Sequence, residues 1–231
     1  MRSPIILALD TKNLDTAKSW IEATNESVDI YKVGLEFYLR FGAPGLRELS
    51  NAGNFSIFLD LKLHDIPNTV SAAVSSVVDL APKFLTVHAS GGAAMIRAAS
   101  DAGKDISITA VTILTSLSDQ DLLEIGYSEQ AKPAVIKLAK LAATNGARSI
   151  VCSPFEANEI RKAVSPEIEI ITPGVRPAGA ELGDQKRVMT PLEALKAGAN
   201  FIVIGRPITD LAQKSLQDMK NGAAKILDSL K

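Results

Sequence analysis

An aspartate and a lysine two residues apart in an apolar run are the residues of this sequence best placed to do chemistry. In Phe55-Ser56-Ile57-Phe58-Leu59-Asp60-Leu61-Lys62, the two-residue period of an extended chain puts Asp60 and Lys62 on one face and Leu59 and Leu61 on the other. A carboxylate and an ammonium on a buried face lose hydration and must pair or find further partners. Asp10 and Lys32, ending the two preceding apolar runs, extend the pair into an alternating charge array. The plainer alternative is a structural ion-pair network, which perturbs ionisation without catalysis. Four charges at the ends of three successive runs weigh against it.

A second cluster suits an anion. Phe201-Ile202-Val203-Ile204-Gly205-Arg206-Pro207 is an apolar strand running into Gly-Arg, with helix-forming residues from about Thr209. Accessible amides at Gly205, the forked guanidinium of Arg206 and a helix N-terminus fit a phosphate. Thr172-Pro173-Gly174-Val175-Arg176-Pro177 offers a second cation in Arg176. Taken alone, Gly205-Arg206 reads equally well as a strand exit with a solvated arginine. Asp65 reads as a turn or cap residue before Pro67. His64 and His88 lack cysteine companions and HExxH-type spacing, so no metal centre is expected. His88 is expected to hydrogen-bond where its strand ends.

These side chains need elements to hold them. Short runs rich in Ile, Val, Leu and Phe alternate with longer amphipathic segments, the signature of repeated βα units. The pattern predicts strands at 5–10, 30–34, 56–62, 84–88, 106–114, 149–152, 168–172 and 201–205. Helices are expected between them, among them 15–23, 68–80 and 132–143, whose apolar residues recur every three or four positions. Eight such units at about 25–30 residues each match a closed TIM (β/α)₈ barrel better than an open sheet. Active sites of that fold lie at the C-terminal strand ends, which singles out Asp10, Lys32, Asp60, Lys62, His88, Thr112, Thr115 and Arg206. Its frequent phosphate corner, after strands seven and eight, coincides with Arg176 and Gly205-Arg206 and tips the balance there toward phosphate. The irregular stretch 173–187 has the length of a functional or lid-forming loop.

Bulk properties narrow the function classes. The chain has 231 residues, 46% of them hydrophobic, so one well-cored domain spanning 1–231 is expected. A net charge of -1 provides no global field for nucleic acid or an anionic membrane, so neither is an expected partner. The single cysteine, Cys152, cannot close an intramolecular disulfide and sits in an apolar strand, which fits a reduced, cytoplasmic protein with Cys152 as core filler. The first apolar run is too short to span a membrane and lacks a secretory cleavage pattern. Hydride transfer, ATP hydrolysis and serine hydrolysis lose ground, because no Gly-x-Gly-x-x-Gly follows the first strand and no P-loop or nucleophile elbow occurs.

Asp60-Leu61-Lys62-Leu63-His64-Asp65-Ile66-Pro67-Asn68-Thr69 resembles the signature of the orotidine 5′-monophosphate decarboxylase family. The likeness extends in order through Lys32-Val33-Gly34, Val87-His88-Ala89-Ser90-Gly91-Gly92, Thr112-Ile113-Leu114-Thr115-Ser116, Gly183-Asp184-Gln185 and Val203-Ile204-Gly205-Arg206-Pro207. It implies a lyase of pyrimidine (UMP) biosynthesis that acts on orotidine 5′-monophosphate without cofactor or metal. By the same resemblance, Lys62 is the proton donor to C6, and Lys32, Asp60 and Asp65 complete the charged array. Asp10, Lys32 and Thr69 contact the ribose, Thr115 addresses the pyrimidine, and Arg176, Gln185, Gly205 and Arg206 hold the phosphate. A homodimer is implied, with Asp65 and Thr69 supplied across the interface.

Two alternatives stand beside it. One is a related Mg²⁺-dependent sugar-phosphate lyase of the 3-keto-L-gulonate 6-phosphate decarboxylase type, against which Lys32 argues, since a cation at the second strand end repels the metal. The other is a non-catalytic barrel that binds a phosphate ligand. Retention of Lys62 and every aspartate of the array opposes it.

Overall fold

Side chains along each strand alternate between two apolar environments, and that alternation builds the molecule. In the computed structural model, which describes residues 3–176 and 189–231, the strands are β1 (Ile5–Ala8), β2 (Ile30–Gly34), β3 (Ser56–Leu63) and β4 (Phe84–His88). They continue as β5 (Ser107–Val111), β6 (Ser149–Val151), β7 (Glu169–Thr172) and β8 (Phe201–Ile204). All pair in parallel in sequence order, and β1 also pairs with β8 (Leu7 opposite Ile204), which closes the barrel. The TIM (β/α)₈ expectation holds.

Ile6, Ala8, Ile30, Phe58, Phe84, Ile171, Phe201 and Val203 fill the barrel interior. Ile5, Leu7, Leu9, Tyr31, Val33, Ile57 and Leu59 belong to the layer between strands and helices. Continuing each inward series by two residues reaches Asp10 from Ala8, Lys32 from Ile30, and Asp60 from Phe58. The apolar fill thus sets the phase that brings the charges to the C-terminal mouth.

The helices that cover the barrel are α1 (Leu14–Thr24), α2 (Leu35–Leu49), α3 (Pro67–Ser75), α4 (Gly92–Ala102), α5 (Asp119–Glu124) and α6 (Ala131–Thr144). After them come α7 (Ala157–Ala163), α8 (Pro191–Lys196), α9 (Arg206–Thr209) and α10 (Leu216–Asp228). Several start on side-chain caps that satisfy their first amides. Asn13 accepts from Thr16 N at 2.9 Å, and Ser118 with Asp121 and Thr190 with Glu193 form reciprocal capping boxes.

Three boundaries depart from the sequence reading by three residues or more. The fifth strand ends at Val111 rather than Leu114, because both the N–H and the hydroxyl of Thr112 donate to the Val151 carbonyl. Thr112 is therefore a buried structural residue and not a mouth residue. The helix expected over 68–80 stops at Ser75, and Val78–Leu80 forms a separate 3₁₀ turn ending in left-handed Ala81. After β8, helix begins at once at Arg206 instead of near Thr209.

Candidate active site

Asp60 is the centre of the mouth. Its carboxylate accepts Lys62 Nζ at 2.8 Å on both oxygens and lies 3.7 Å from Lys32 Nζ. Lys32 in turn reaches Asp10 at 3.4 Å. The alternating series Asp10–Lys32–Asp60–Lys62 expected from strand ends is thus assembled. Its members differ in solvation: the Asp60 side chain is 12% exposed, that of Asp10 67%. Burial by itself would raise the pKa of Asp60. The Lys32 and Lys62 ammoniums, with hydrogen bonds from Lys62 and Thr86, outweigh it and hold this carboxyl below the usual range. Gly34 leaves the space this needs, since a Cβ there would come within 3.3 Å of Lys32 Nζ.

Lys62 does not continue β3 as a regular strand residue. Its φ is 50°, a left-handed conformation that costs a non-glycine residue about 1 kcal/mol. Leu59 pairs with Leu85 and Leu63 with Val87, so Asp60, Leu61 and Lys62 together stand opposite the single residue Thr86. This bulge turns the lysine into the mouth.

The charges form one wall of a cavity of about 220 Å³, lined by Lys32, Asp60, Lys62 and Thr115 together with apolar groups that include Phe58, Ile113 and Val203. Thr115 therefore lines the same cavity as Lys32, Asp60 and Lys62. A charged wall facing an apolar one suits a planar ligand that carries charge at one edge. Cys152 lies on the apolar side, buried, with its thiol pKa pushed well up by burial. That is the inert role expected of it.

Arg206 lines a neighbouring cleft of about 370 Å³ with Trp20 and Asp210; Asp10 borders this cleft and also a smaller one beside Lys32. Gly205 precedes it, its carbonyl accepting from Ile208 N and Thr209 N to start α9. Arg176 is buried, with Nη1 donating to the Val175 carbonyl at 3.0 Å and its own N–H donating to Met189 O. Gln185 and the Gly183-Asp184 beside it lie outside the described residues.

Asp65 and Thr69 are not gathered into the mouth by their own chain. Both are exposed, and Asp65 Oδ1 accepts from the adjacent Ile66 N at 2.7 Å. His88 also differs from its expectation. It packs its ring on His64, centroids 5.4 Å apart, and makes no side-chain hydrogen bond among the described residues. Burial first, then His64 and Lys62, lower its pKa against the opposing pull of Asp60, a net shift that favours its neutral form.

Sequence reasoning missed Thr86. It is fully buried, donates to Asp60 Oδ1 at 3.0 Å and accepts Lys62 N–H at 2.8 Å. Its signal was available: Phe84, Thr86 and His88 share the inward phase of β4, and a hydroxyl there needs a polar partner.

Barrel and mouth define a (β/α)₈ protein whose C-terminal mouth sets an array of paired side-chain charges beside an apolar cavity. Among the described residues no three His, Cys, Asp or Glu side chains converge as a metal site. The family model described as "Orotidine 5'-phosphate decarboxylase / HUMPS family" matches residues 3–217. An orotidine 5′-phosphate decarboxylase of Thermobifida fusca is 53% identical over 209 residues, covering 90% of each chain. One from a Wolbachia of Culex pipiens is 47% identical over 210 residues, covering 90% of this chain and 92% of its own. The solved orotidine 5′-phosphate decarboxylase of Lactobacillus acidophilus superposes with a TM-score of 0.82 at 34% identity, covering 98% and 99% of the two chains. The chain belongs to the orotidine 5′-phosphate decarboxylase / HUMPS family, and it is an enzyme of that carboxy-lyase family.

Proposed function

We propose that the enzyme decarboxylates orotidine 5′-monophosphate to UMP, with Lys62 protonating C6. The observation that carries this reading is the Lys62 ammonium held 2.8 Å from both Asp60 oxygens, with Lys32 behind it, against an apolar cavity. Breaking the C6–carboxylate bond leaves the electron pair on C6 as a vinyl-type carbanion. That pair has no adjacent sink, so fixed charge must stabilise it. Lys62 does so and gives C6 its proton, and the neutral amine recovers one from solvent. Asp60 holds the ammonium in place.

In this reading the pyrimidine occupies the cavity lined by Thr115, and Asp10 and Lys32 address the ribose. Arg176, Gln185, Gly205 and Arg206 take the phosphate. These contacts lie away from the breaking bond, so they act by closing the site and aligning the array. The enzyme works as a homodimer in which Asp65 and Thr69 complete the partner's mouth. The run His64–Thr69, exposed throughout with Ile66 at 65%, supports such a covered surface. Residues 1–231 act as one domain, in the cytoplasm, in keeping with the lone buried thiol. No described helix is long and apolar enough to cross a membrane.

Lys32 favours this reaction over the Mg²⁺-dependent one. Its ammonium lies between the carboxylates of Asp10 and Asp60, at 3.4 and 3.7 Å, where a divalent ion would otherwise be drawn. The test is loss of orotidine 5′-monophosphate absorbance in EDTA, beside Lys62→Ala. Rapid conversion by the native enzyme and none by the variant is expected. A native enzyme inert until Mg²⁺ and a sugar phosphate are added would assign the other reaction.

A further inference from the structure

We infer that Thr86 is a positioning residue for the decarboxylation, its hydroxyl fixing both the carboxylate of Asp60 and the backbone of Lys62. The inference rests on the reaction proposed above. Three residues of β3 face one residue of β4 here, so the ladder cannot supply a backbone carbonyl for each amide of the bulge. Thr86 Oγ1 takes that place by accepting Lys62 N–H at 2.8 Å. The same oxygen donates its proton to Asp60 Oδ1 at 3.0 Å, which leaves that hydroxyl no free proton and fixes its rotor.

The two bonds together form a short chain, Lys62 N–H to Thr86 to Asp60, that closes through the Lys62 ammonium on the same carboxylate. Lys62 therefore meets Thr86 through its main chain and Asp60 through its side chain. The arrangement holds a strained residue, φ 50°, in one conformation and aims its ammonium at the cavity. Thr86 is fully buried and lines none of the clefts at the mouth, so it acts through its two partners and not on substrate.

Thr86→Val keeps the shape of the side chain and removes the hydroxyl, whereas Thr86→Ser keeps the hydroxyl. Loss of alignment of this size lowers kcat by about 100-fold. For Thr86→Val that fall is expected with KM little changed and the acid limb of kcat/KM moved to higher pH, since Asp60 loses a bond that favours its charged form. Thr86→Ser should restore both kcat and the acid limb, a rescue that packing alone would not give. Thr86→Ala supplies the hydroxyl-free chain should the valine variant fail to fold. Native kcat and acid limb in the folded hydroxyl-free variants, or equal loss in Thr86→Ser, would overturn the role. The native enzyme in the same assay separates the two questions: if it leaves orotidine 5′-monophosphate unchanged, the proposed reaction fails, and if it converts substrate as fast as Thr86→Val does, only the role of Thr86 fails.

Discussion

Lys62 and Ala81 are the two non-glycine residues with left-handed backbone among the described residues, φ 50° and 45°, and they stand at opposite ends of the barrel. Ala81 closes the connection from α3 to β4 at the N-terminal face, its N–H donating to Val78 O at 2.9 Å. A glycine would make that exposed turn more easily. Lys62 is held by Thr86 and Asp60, and its conformation aims a charge.

Charges at the two ends differ in the same way. At the N-terminal face the Arg161 guanidinium donates to the carbonyls of Gly198 and Ile168 and to Asn200 Oδ1, joining α7 to the starts of β7 and β8. Lys83 lies over the rings of Phe84 and Phe201 at 4.8 and 4.6 Å. Around Arg161 the partners are neutral carbonyl and amide oxygens, placed where loops must be tied down. At the mouth, by contrast, charges satisfy one another beside a cavity, where a ligand's charge competes for them. Similar local costs thus serve stability at one end and chemistry at the other.

Lys62→Gly breaks this contrast most sharply. It suits the left-handed backbone but removes the ammonium, so turnover of orotidine 5′-monophosphate should fall at least about 10⁴-fold. The melting temperature should move little, because relief of strain offsets the lost pairing with Asp60. A glycine variant with substantial turnover would detach Lys62 from the chemistry.

Arg161→Ala takes a donor from the Gly198 and Ile168 carbonyls and leaves Asn200 Oδ1 with only the Ile170 N–H, and should destabilise the fold by about 2 kcal/mol. Denaturant melts should record that loss while kcat stays native; an equal fall in kcat would erase the division between the two ends.

Acid titration sharpens the contrast further. The folded pKa of Asp60 lies below its unfolded value, so its contribution to stability is present above the ordinary carboxylate pKa and lost as pH falls through the folded value. Asp60→Asn should therefore flatten the decline in melting temperature as pH falls from about 5 through the ordinary carboxylate value of about 4 and below it. An unchanged slope would mean that the ion pairs at the mouth contribute no net stability.

Ala81→Gly is expected to stabilise the protein by up to about 1 kcal/mol with native activity, since relief of φ strain outweighs the added chain entropy. The smallest effect belongs to Lys83→Met, a loss of about 0.5–1 kcal/mol from its ring contacts. Melting curves check both, and a destabilised Ala81→Gly would show that this turn is not strained.

Several elements were legible because they depend on near neighbours. Period-two alternation in Phe58-Leu59-Asp60 places the carboxylate inward whatever the rest of the chain does, since the apolar neighbours decide which face is buried. The strand pattern over 30–34 and 84–88 coincides with β2 and β4 for the same reason. Where β5 ends was not legible, because Thr112 is captured by a carbonyl on β6.

The sequence by itself determined eight βα units, the inward phase of Asp10, Lys32 and Asp60, and a family signature across most of the chain, all matters of local order. Only the tertiary structure decided the β3 bulge, the left-handed Lys62 and the bonds from Thr86. Those follow from β3 and β4 pairing in one register, where residues far apart in the chain compete for the same hydrogen bonds.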